Sequence, residues 1–303
     1  EHCTGCEACT MQMGDVAMGK LDKYNGCILK SKDDMDKIVQ EMYTCNGIIV
    51  GVPTYDLTPS SLYLKFAQRF LAYELSFLLE IGAVKEDPHM VGGVPCHDWQ
   101  TLALEGMGAT MFTQSVQVVD QMLSTRNGRP GNVLLRDEQI ERAHKMGENI
   151  IKAINTPVEE RGWLGDPDQG MCPRCHSALI YKGDKHWDGI EFPFECAVCG
   201  AGGDLVKDEN GEYKFVLAEN GLIRDRNVNS ARAEHLNEII KTRIDFFEHM
   251  DVVQQKYGKY KNAKARGWGN PISECELFHA GVDCGALEQR IRKRDNGNHF
   301  KGN

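Results

Sequence analysis

The chain has 303 residues with 44 acidic and 35 basic side chains, a net charge of −9. That balance argues against a general phosphate-backbone binder, so no nucleic-acid partner is expected. No apolar run reaches the roughly 18 residues of a membrane span and no signal peptide is visible, which points to a cytoplasmic chain without a membrane span. The sequence opens on Glu1 rather than Met. Its twelve cysteines are grouped at metal-ligand spacings, as expected of a reducing compartment rather than a disulfide scaffold.

The first group is Cys3-x2-Cys6-x2-Cys9, with Cys27 following after seventeen residues that include Gly14, Gly19 and Gly26. Three thiols in one short loop with a remote fourth suit the corners of a 4Fe–4S cluster. A zinc site and a set of ordinary buried cysteines are the competing readings. Next, Asp33-Asp34-Met35 starts a helix to about Cys45, with Met35, Ile38, Val39 and Met42 on one face. Cys45 itself reads as a small buried hydrophobe. Asn46-Gly47 turns the chain into Ile48–Val52, a continuous apolar run expected of a buried parallel strand. A helix from about Ser60 to Leu79 follows. Cys96, beside His97 and near His89, reads as a loop thiol rather than a ligand or nucleophile. Val116–Met122 is a further strand. Asp137 begins a helix with Ile140, Ala143, Met146, Ile150 and Ile151 turned inward. Helix, strand and helix in alternation predict a doubly wound α/β sheet, whose ligands bind at the carboxyl ends of the strands. The loop 51–61 is the candidate ligand loop.

Between Asn155 and Met171 the chain carries Pro157, Gly162, Gly165, Pro167 and Gly170, a linker-like concentration. The second cysteine group follows: Cys172-x2-Cys175, twenty residues, then Cys196-x2-Cys199. Two such knuckles predict a closed four-thiolate site whose work is folding, most simply zinc in a small β-rich ribbon. A mononuclear iron centre uses the same ligands, and spacing does not separate the two. From Asn229 the pattern turns helical, through Leu236, Ile239, Ile240, Ile244, Phe247, Met250 and Val253. The basic run Arg290–Arg294 reads as a solvated helix face, and Cys275 and Cys284 as tail residues without a partner pair. The expected division is 1–156, an α/β domain; 157–222, a zinc-ribbon-like module; and 223–303, a helical C-terminal extension.

Residues 1–155 resemble the iron–sulfur flavoproteins of the flavodoxin-like, NAD(P)H-dependent FMN reductase family. The likeness is carried by Cys3-Thr4-Gly5-Cys6-Glu7-Ala8-Cys9, Gly26-Cys27, Asp33-Asp34-Met35, and Gly51-Val52-Pro53-Thr54-Tyr55 with Lys65 and Arg69 downstream. Asp120-Gln121-Met122 and Gly147-Glu148-Asn149 are similar as well. The resemblance implies FMN against Pro53, Thr54 and Tyr55, a later flavin loop at Gly92, Gly93 and Trp99, and a 4Fe–4S cluster on Cys3, Cys6, Cys9 and Cys27. The family's opening strand and phosphate-binding loop are not matched, and its fourth cysteine lies closer to the third. The implied function is electron transfer, in an anaerobic or microaerobic setting, from a nicotinamide or ferredoxin-type donor through FMN and the cluster. Zinc would sit on Cys172, Cys175, Cys196 and Cys199. A homo-oligomer, or a subunit of a redox complex with a redox partner protein, is expected. The alternative is a non-catalytic scaffold or adaptor that docks through the ribbon and the tail.

Overall fold

The computed structural model describes residues 1–97, 102–129, 131–167, 170–186 and 188–261. In chain order these form α1 (Ala8–Ala17), α2 (Met35–Thr44), β1 (Gly47–Ile49), β2 (Thr54–Tyr55), β3 (Thr58–Pro59), α3 (Ser61–Gln68), α4 (Leu75–Glu80), β4 (Met90–His97), α5 (Ala103–Thr113), β5 (Val116–Ser124) and α6 (Asp137–Ile154). The short strands β6 (Ile180–Lys182), β7 (Phe194–Cys196), β8 (Gly202–Lys207) and β9 (Tyr213–Leu217) follow, then α7 (Asn229–Glu248) and α8 (Met250–Lys261). Trp99, Cys275, Cys284 and the run Arg290–Arg294 lie outside the described residues. No helix among the described residues is long and apolar enough to cross a membrane.

Strands rich in apolar residues without polar alternation must be covered on both faces. Here β1, β4 and β5 form a parallel sheet in the order β1-β4-β5. On one face Val91, Val119 and Met122 pack under Met146, Ile150 and Ala153 of α6. On the other, Met90, Val94, Val116 and Val118 meet Met107, Met111 and Phe112 of α5 and Val39 and Met42 of α2. The register shifts between Gly92 and Gly93, which pair with Val118 and Asp120. That bulge leaves Val119 as the extra residue on β5 and breaks the alternation, so Val119 and Asp120 both turn toward α6.

The sheet differs from the sequence expectation in three ways. The run at 48–52 is an edge strand among the described residues, with Ile49 half exposed and only an isolated parallel bridge, Val52 to Cys96, beyond it. The Gly92-Gly93 pair lies inside β4 rather than in a loop. A Cβ at Gly92 would stand 2.6 Å from Val116 Cγ1, and one at Gly93 would stand 2.9 Å from Met146 Sδ. Cys96 is likewise a buried strand residue, not a loop thiol.

The helix expected over 60–79 is broken. Ser60 caps α3, a 3-10 turn over Arg69–Tyr73 buries Arg69, Phe70, Ala72 and Tyr73, and Glu74 leaves helical geometry at φ −56 and ψ 110 to cap α4 through its carboxylate and the Ser76 amide. Packing of the turn outweighs the continuous periodicity. Ile38, Ala143 and Ile151, all expected inside, are exposed. Cys45 is exposed too, its thiol against the Glu41 carbonyl oxygen at 3.2 Å.

The antiparallel sheet β6-β7-β8-β9 carries the second cysteine group, and its buried residues belong to the same apolar cluster as α5. Residues 1–243 form one compact unit and 244–303 a second. Within the first, α7 is fastened by Arg232 to Asp87 at 2.5 Å and by Arg243 to Asp15 at 2.7 Å. Within the second, Phe246 and Phe247 meet edge to face, with ring centroids 5.4 Å apart.

Gly92→Ala forces the branched Val116 side chain to shift and should cost about 1–3 kcal/mol, by the overpacking rule. Gly147→Ala, in α6 with nothing within 4 Å of the new methyl, should stabilise by about 0.5–1 kcal/mol. Urea unfolding midpoints of the two variants should therefore move in opposite directions.

Candidate functional site

Three places concentrate chemistry. The first is the loop leaving β1. Val50 and Val52 donate their amides to Gly93 O (3.0 Å) and Pro95 O (3.1 Å), so the chain stays against β4 to its carboxyl end. Pro53 and Ser60 then close the loop at 3.1 Å. Between them β2 and β3 pair as Thr54–Pro59 and Tyr55–Thr58. The turn between uses Asp56 and Leu57 at φ 46 and 66, the left-handed pair that a two-residue hairpin requires. This fold turns Tyr55 outward, 63% exposed, and Thr54 inward. Thr54 Oγ1 is buried without a well-formed hydrogen bond, although it lies beside the Cys96 thiol, which burial pushes up to about 11. A thiol so raised is a poor nucleophile at neutral pH.

The second place is the four-cysteine group of the antiparallel sheet. The Sγ atoms of Cys172, Cys175, Cys196 and Cys199 all lie within 4.8 Å of one another and are buried. Cys172 and Cys199 are 3.6 Å apart, and Cys175 and Cys196 are 3.5 Å apart. A tetrahedral ion with bonds of about 2.3 Å spaces its sulfurs at about 3.8 Å, so the set has the geometry to hold one metal ion. The sulfurs share hydrogen bonds that lower the Cys172 and Cys196 thiols and raise Cys175 and Cys199. A cation bound there would take the place of those shared protons.

The surrounding residues supply what the spacing does not reveal. Gly200 adopts φ +82, and a Cβ there would meet Arg224 O at 2.5 Å. Arg226 donates to Ala197 O (2.5 Å) and Val198 O (2.7 Å), satisfying the carbonyls of the second knuckle. Gln121 of β5 donates to His176 O at 2.9 Å, and Trp163 stacks on the His176 ring with centroids 4.3 Å apart.

The third place is the N-terminal segment. Cys3, Cys6, Cys9 and Cys27 all line one cavity, together with Arg69. Gly5 and Glu7 take φ 65 and 57, curling the loop ahead of α1 so that Cys9 enters its first turn. Burial, and then the nearby Cys27 and Cys3 sulfurs, push the Cys9 thiol up. Gln12, which sequence reading passed over, returns the distant Cys27. Its side chain accepts from the Asn25 amide at 3.0 Å and donates to Gly26 O at 3.1 Å. Gly26 at φ 76 then turns the chain, and the Leu29 amide donates to Cys27 Sγ at 3.4 Å. Tyr24 pins the same loop from below, donating to Ala72 O at 2.7 Å. No periodicity signals a lone glutamine serving a backbone loop.

Asp33 stands beside this cavity. Burial disfavours its charge, but hydrogen bonds from Arg69, from the ammonium of Glu1 at 3.0 Å and from the Met35 amide outweigh burial and hold the carboxyl at about 2.

The fold described above is an α/β layer with a parallel sheet and helices on both faces, joined to an antiparallel sheet bearing a four-thiolate site. A solved structure of a flavone reductase is similar in overall fold, with a TM-score of 0.62 and 21% sequence identity, covering 84% of this chain and 91% of that one. In sequence, the chain is similar to the flavone synthase cfoJ of Aspergillus candidus, 30% identical over 131 residues. The match spans 43% of this chain and 38% of the relative's length. No protein-family model matches the chain.

If the second group binds a metal ion, Cys196→Ser should lower its metal content and the thermal unfolding midpoint. Elemental analysis and calorimetry read both, and full metal retention in the variant would refute the assignment of Cys196. Asp33 supplies a pH test. Its folded value lies below the unfolded one of about 3.9, so its contribution is complete above about pH 4 and is lost as pH falls through 2. Asp33→Asn should flatten the acid limb of the stability curve across that window.

Proposed function

We propose that this chain is the redox portion of a flavin- and iron–sulfur-dependent oxidoreductase. It passes electrons between a reduced donor, of the nicotinamide or ferredoxin type, and an acceptor. In this reading the α/β layer is flavodoxin-like, with FMN lying at the carboxyl ends of β1 and β4 against Pro53, Thr54 and Tyr55. Cys3, Cys6, Cys9 and Cys27 hold a 4Fe–4S cluster, and Cys172, Cys175, Cys196 and Cys199 hold zinc in a ribbon. The names of the two relatives suggest a planar, flavone-like aromatic ketone as the organic substrate.

The observation that carries the reading is the convergence of Cys3, Cys6, Cys9 and Cys27, from two separate segments, on one cavity. Among the described residues, only the second cysteine group has its sulfurs within 4.8 Å of one another. The first group is spread more widely than that. The residues suit a cluster: soft thiolates, a backbone amide on Cys27, and loops curled by left-handed residues. The strand-end residues suit a flavin, with an exposed Tyr55 ring for stacking above a Thr54 hydroxyl turned in against the Cys96 thiol. Gly92 and Gly93 contribute indirectly, by letting Val116 and Met146 close against β4 and so setting where Pro95 and Cys96 stand.

Bound FMN exchanges hydride or single electrons, and a cluster exchanges single electrons. The protein's part is placement. Gln12 and Tyr24 hold the Cys27 loop against α1 and the turn after α3. The hairpin of β2 and β3 presents Tyr55 at the sheet edge. With zinc the second group contributes stability rather than electron transfer, because zinc has no redox chemistry and a closed four-thiolate site is structural.

Anaerobically purified protein should show flavin bands near about 370 and 450 nm over a broad cluster shoulder. A colourless protein holding only zinc sinks the proposal. In Cys6→Ser the cluster iron should vanish while zinc stays stoichiometric; equal loss of both would mean the two groups are not independent sites.

A further inference from the structure

Arg69 is the single cationic side chain among the described residues lining the cavity of Cys3, Cys6, Cys9 and Cys27. It comes from the buried 3-10 turn that interrupts the expected helix, and its side chain is only 2% exposed. Asp33 takes the ends of its fork, Nη1 at 2.5 Å and Nη2 at 3.5 Å. Nε is buried and has no hydrogen-bond partner. A buried N–H left unmade is costly, and native structures keep one only where something else satisfies it. The four cysteine sulfurs line the same cavity as Arg69, together with the Glu7 carboxylate and the Thr4 and Gln68 side chains.

We propose that Arg69 is a positioning residue for the occupant of this cavity: held by Asp33, it offers its free Nε–H and its buried charge to the sulfur-rich anion assembled on the four cysteines. The proposal rests on the cluster reading above and adds to it which residue sets the ease of reduction. Four thiolates around a cuboidal iron–sulfur core carry net negative charge. Reduction brings in one electron, with no bond broken and no proton required, so that charge grows by one. A fixed cation beside it favours the reduced form. Hydrogen bonds to cluster sulfurs act in the same direction. Asp33 orients the guanidinium by accepting from its fork, which an asparagine oxygen still does, while its charge, which asparagine lacks, partly offsets that of Arg69.

The test uses the full chain with iron and sulfide supplied under anaerobic conditions. Iron and sulfide per chain are measured first, then the midpoint potential of the cluster, by dye-mediated titration with dithionite and electron paramagnetic resonance. Arg69→Gln should keep the cluster but lower its potential. At a fixed ambient potential the reduced-to-oxidised ratio should fall about tenfold, as one partly buried unit charge predicts, or about 59 mV for a one-electron couple. Arg69→Lys, which keeps the charge and loses Nε, should fall less. Asp33→Asn, which keeps Arg69 and removes its counter-charge, should raise the potential and provides the reading if Arg69→Gln does not fold. A loaded Arg69→Gln at the wild-type potential overturns the role of Arg69 and leaves the cluster in place. So does an Asp33→Asn protein whose potential does not rise. Wild-type protein that takes up no iron and sulfide overturns the cluster reading and this proposal together.

Discussion

The carboxylate of Asp120 is fully buried on β5, and a buried charge has to be paired. Arg142 of α6 meets it with Nη1 at 3.1 Å and Nη2 at 2.5 Å, and Asn149 adds a donor at 2.8 Å. The same Asn149 also donates to Leu164 O at 2.9 Å, while the Leu164 amide reaches Val119 O at 2.8 Å. One charge thus locks together β5, α6 and the segment that leaves the α/β layer. Breaking such a set by removing one partner costs about 3–5 kcal/mol, because the other charge remains buried. Everything downstream depends on it. The segment 161–165 is fixed over the bulge at Val119, which places Trp163 on His176, next to the first knuckle of the second cysteine group.

The two cysteine groups answer to different physics. Cys172, Cys175, Cys196 and Cys199 are closed in on one another and buried within the main apolar cluster, alongside Phe112 and Met111. Their neighbours (Arg226, Gly200, Gln121) satisfy backbone carbonyls and close approaches, the needs of a structural site. Cys3, Cys6, Cys9 and Cys27 grade from buried to exposed and wall a cavity beside a buried guanidinium with an unused donor. A polar group of that kind, left unsatisfied by the protein itself, is where function concentrates.

Much of this was legible in the chain. The spacing of the second group predicts a four-thiolate site because ligands at C-x2-C must lie within one turn of each other, and the sulfurs do close. Helix α2, strand β5 and the starts of helices α6 and α7 fall where the sequence pattern places them, although the helical run expected from Asn229 through Val253 divides between α7 and α8. The misses share a cause. Ile38, Ile151 and Ala143 fit the period yet face solvent, since periodicity identifies a face but not how much of it a neighbour covers. The helix expected over 60–79 has the right composition throughout, and only burial of Arg69–Tyr73 in the turn breaks it. Strand β4 reads poorly because its glycines lack β propensity. They are there because Val116 and Met146 occupy the space where side chains would stand.

By itself the sequence determined the kinds of ligand present, the spacing within each cysteine loop, and the alternation that makes an α/β layer, because these depend on residues close together in the chain. Only the tertiary structure decided that Cys27 returns to Cys9, that Gln12 brings it back, and that Arg69 and Asp33 stand beside both. Those are contacts between segments far apart in sequence. Their partners are chosen by packing and by the need to pair buried polar groups, and no local pattern carries that information.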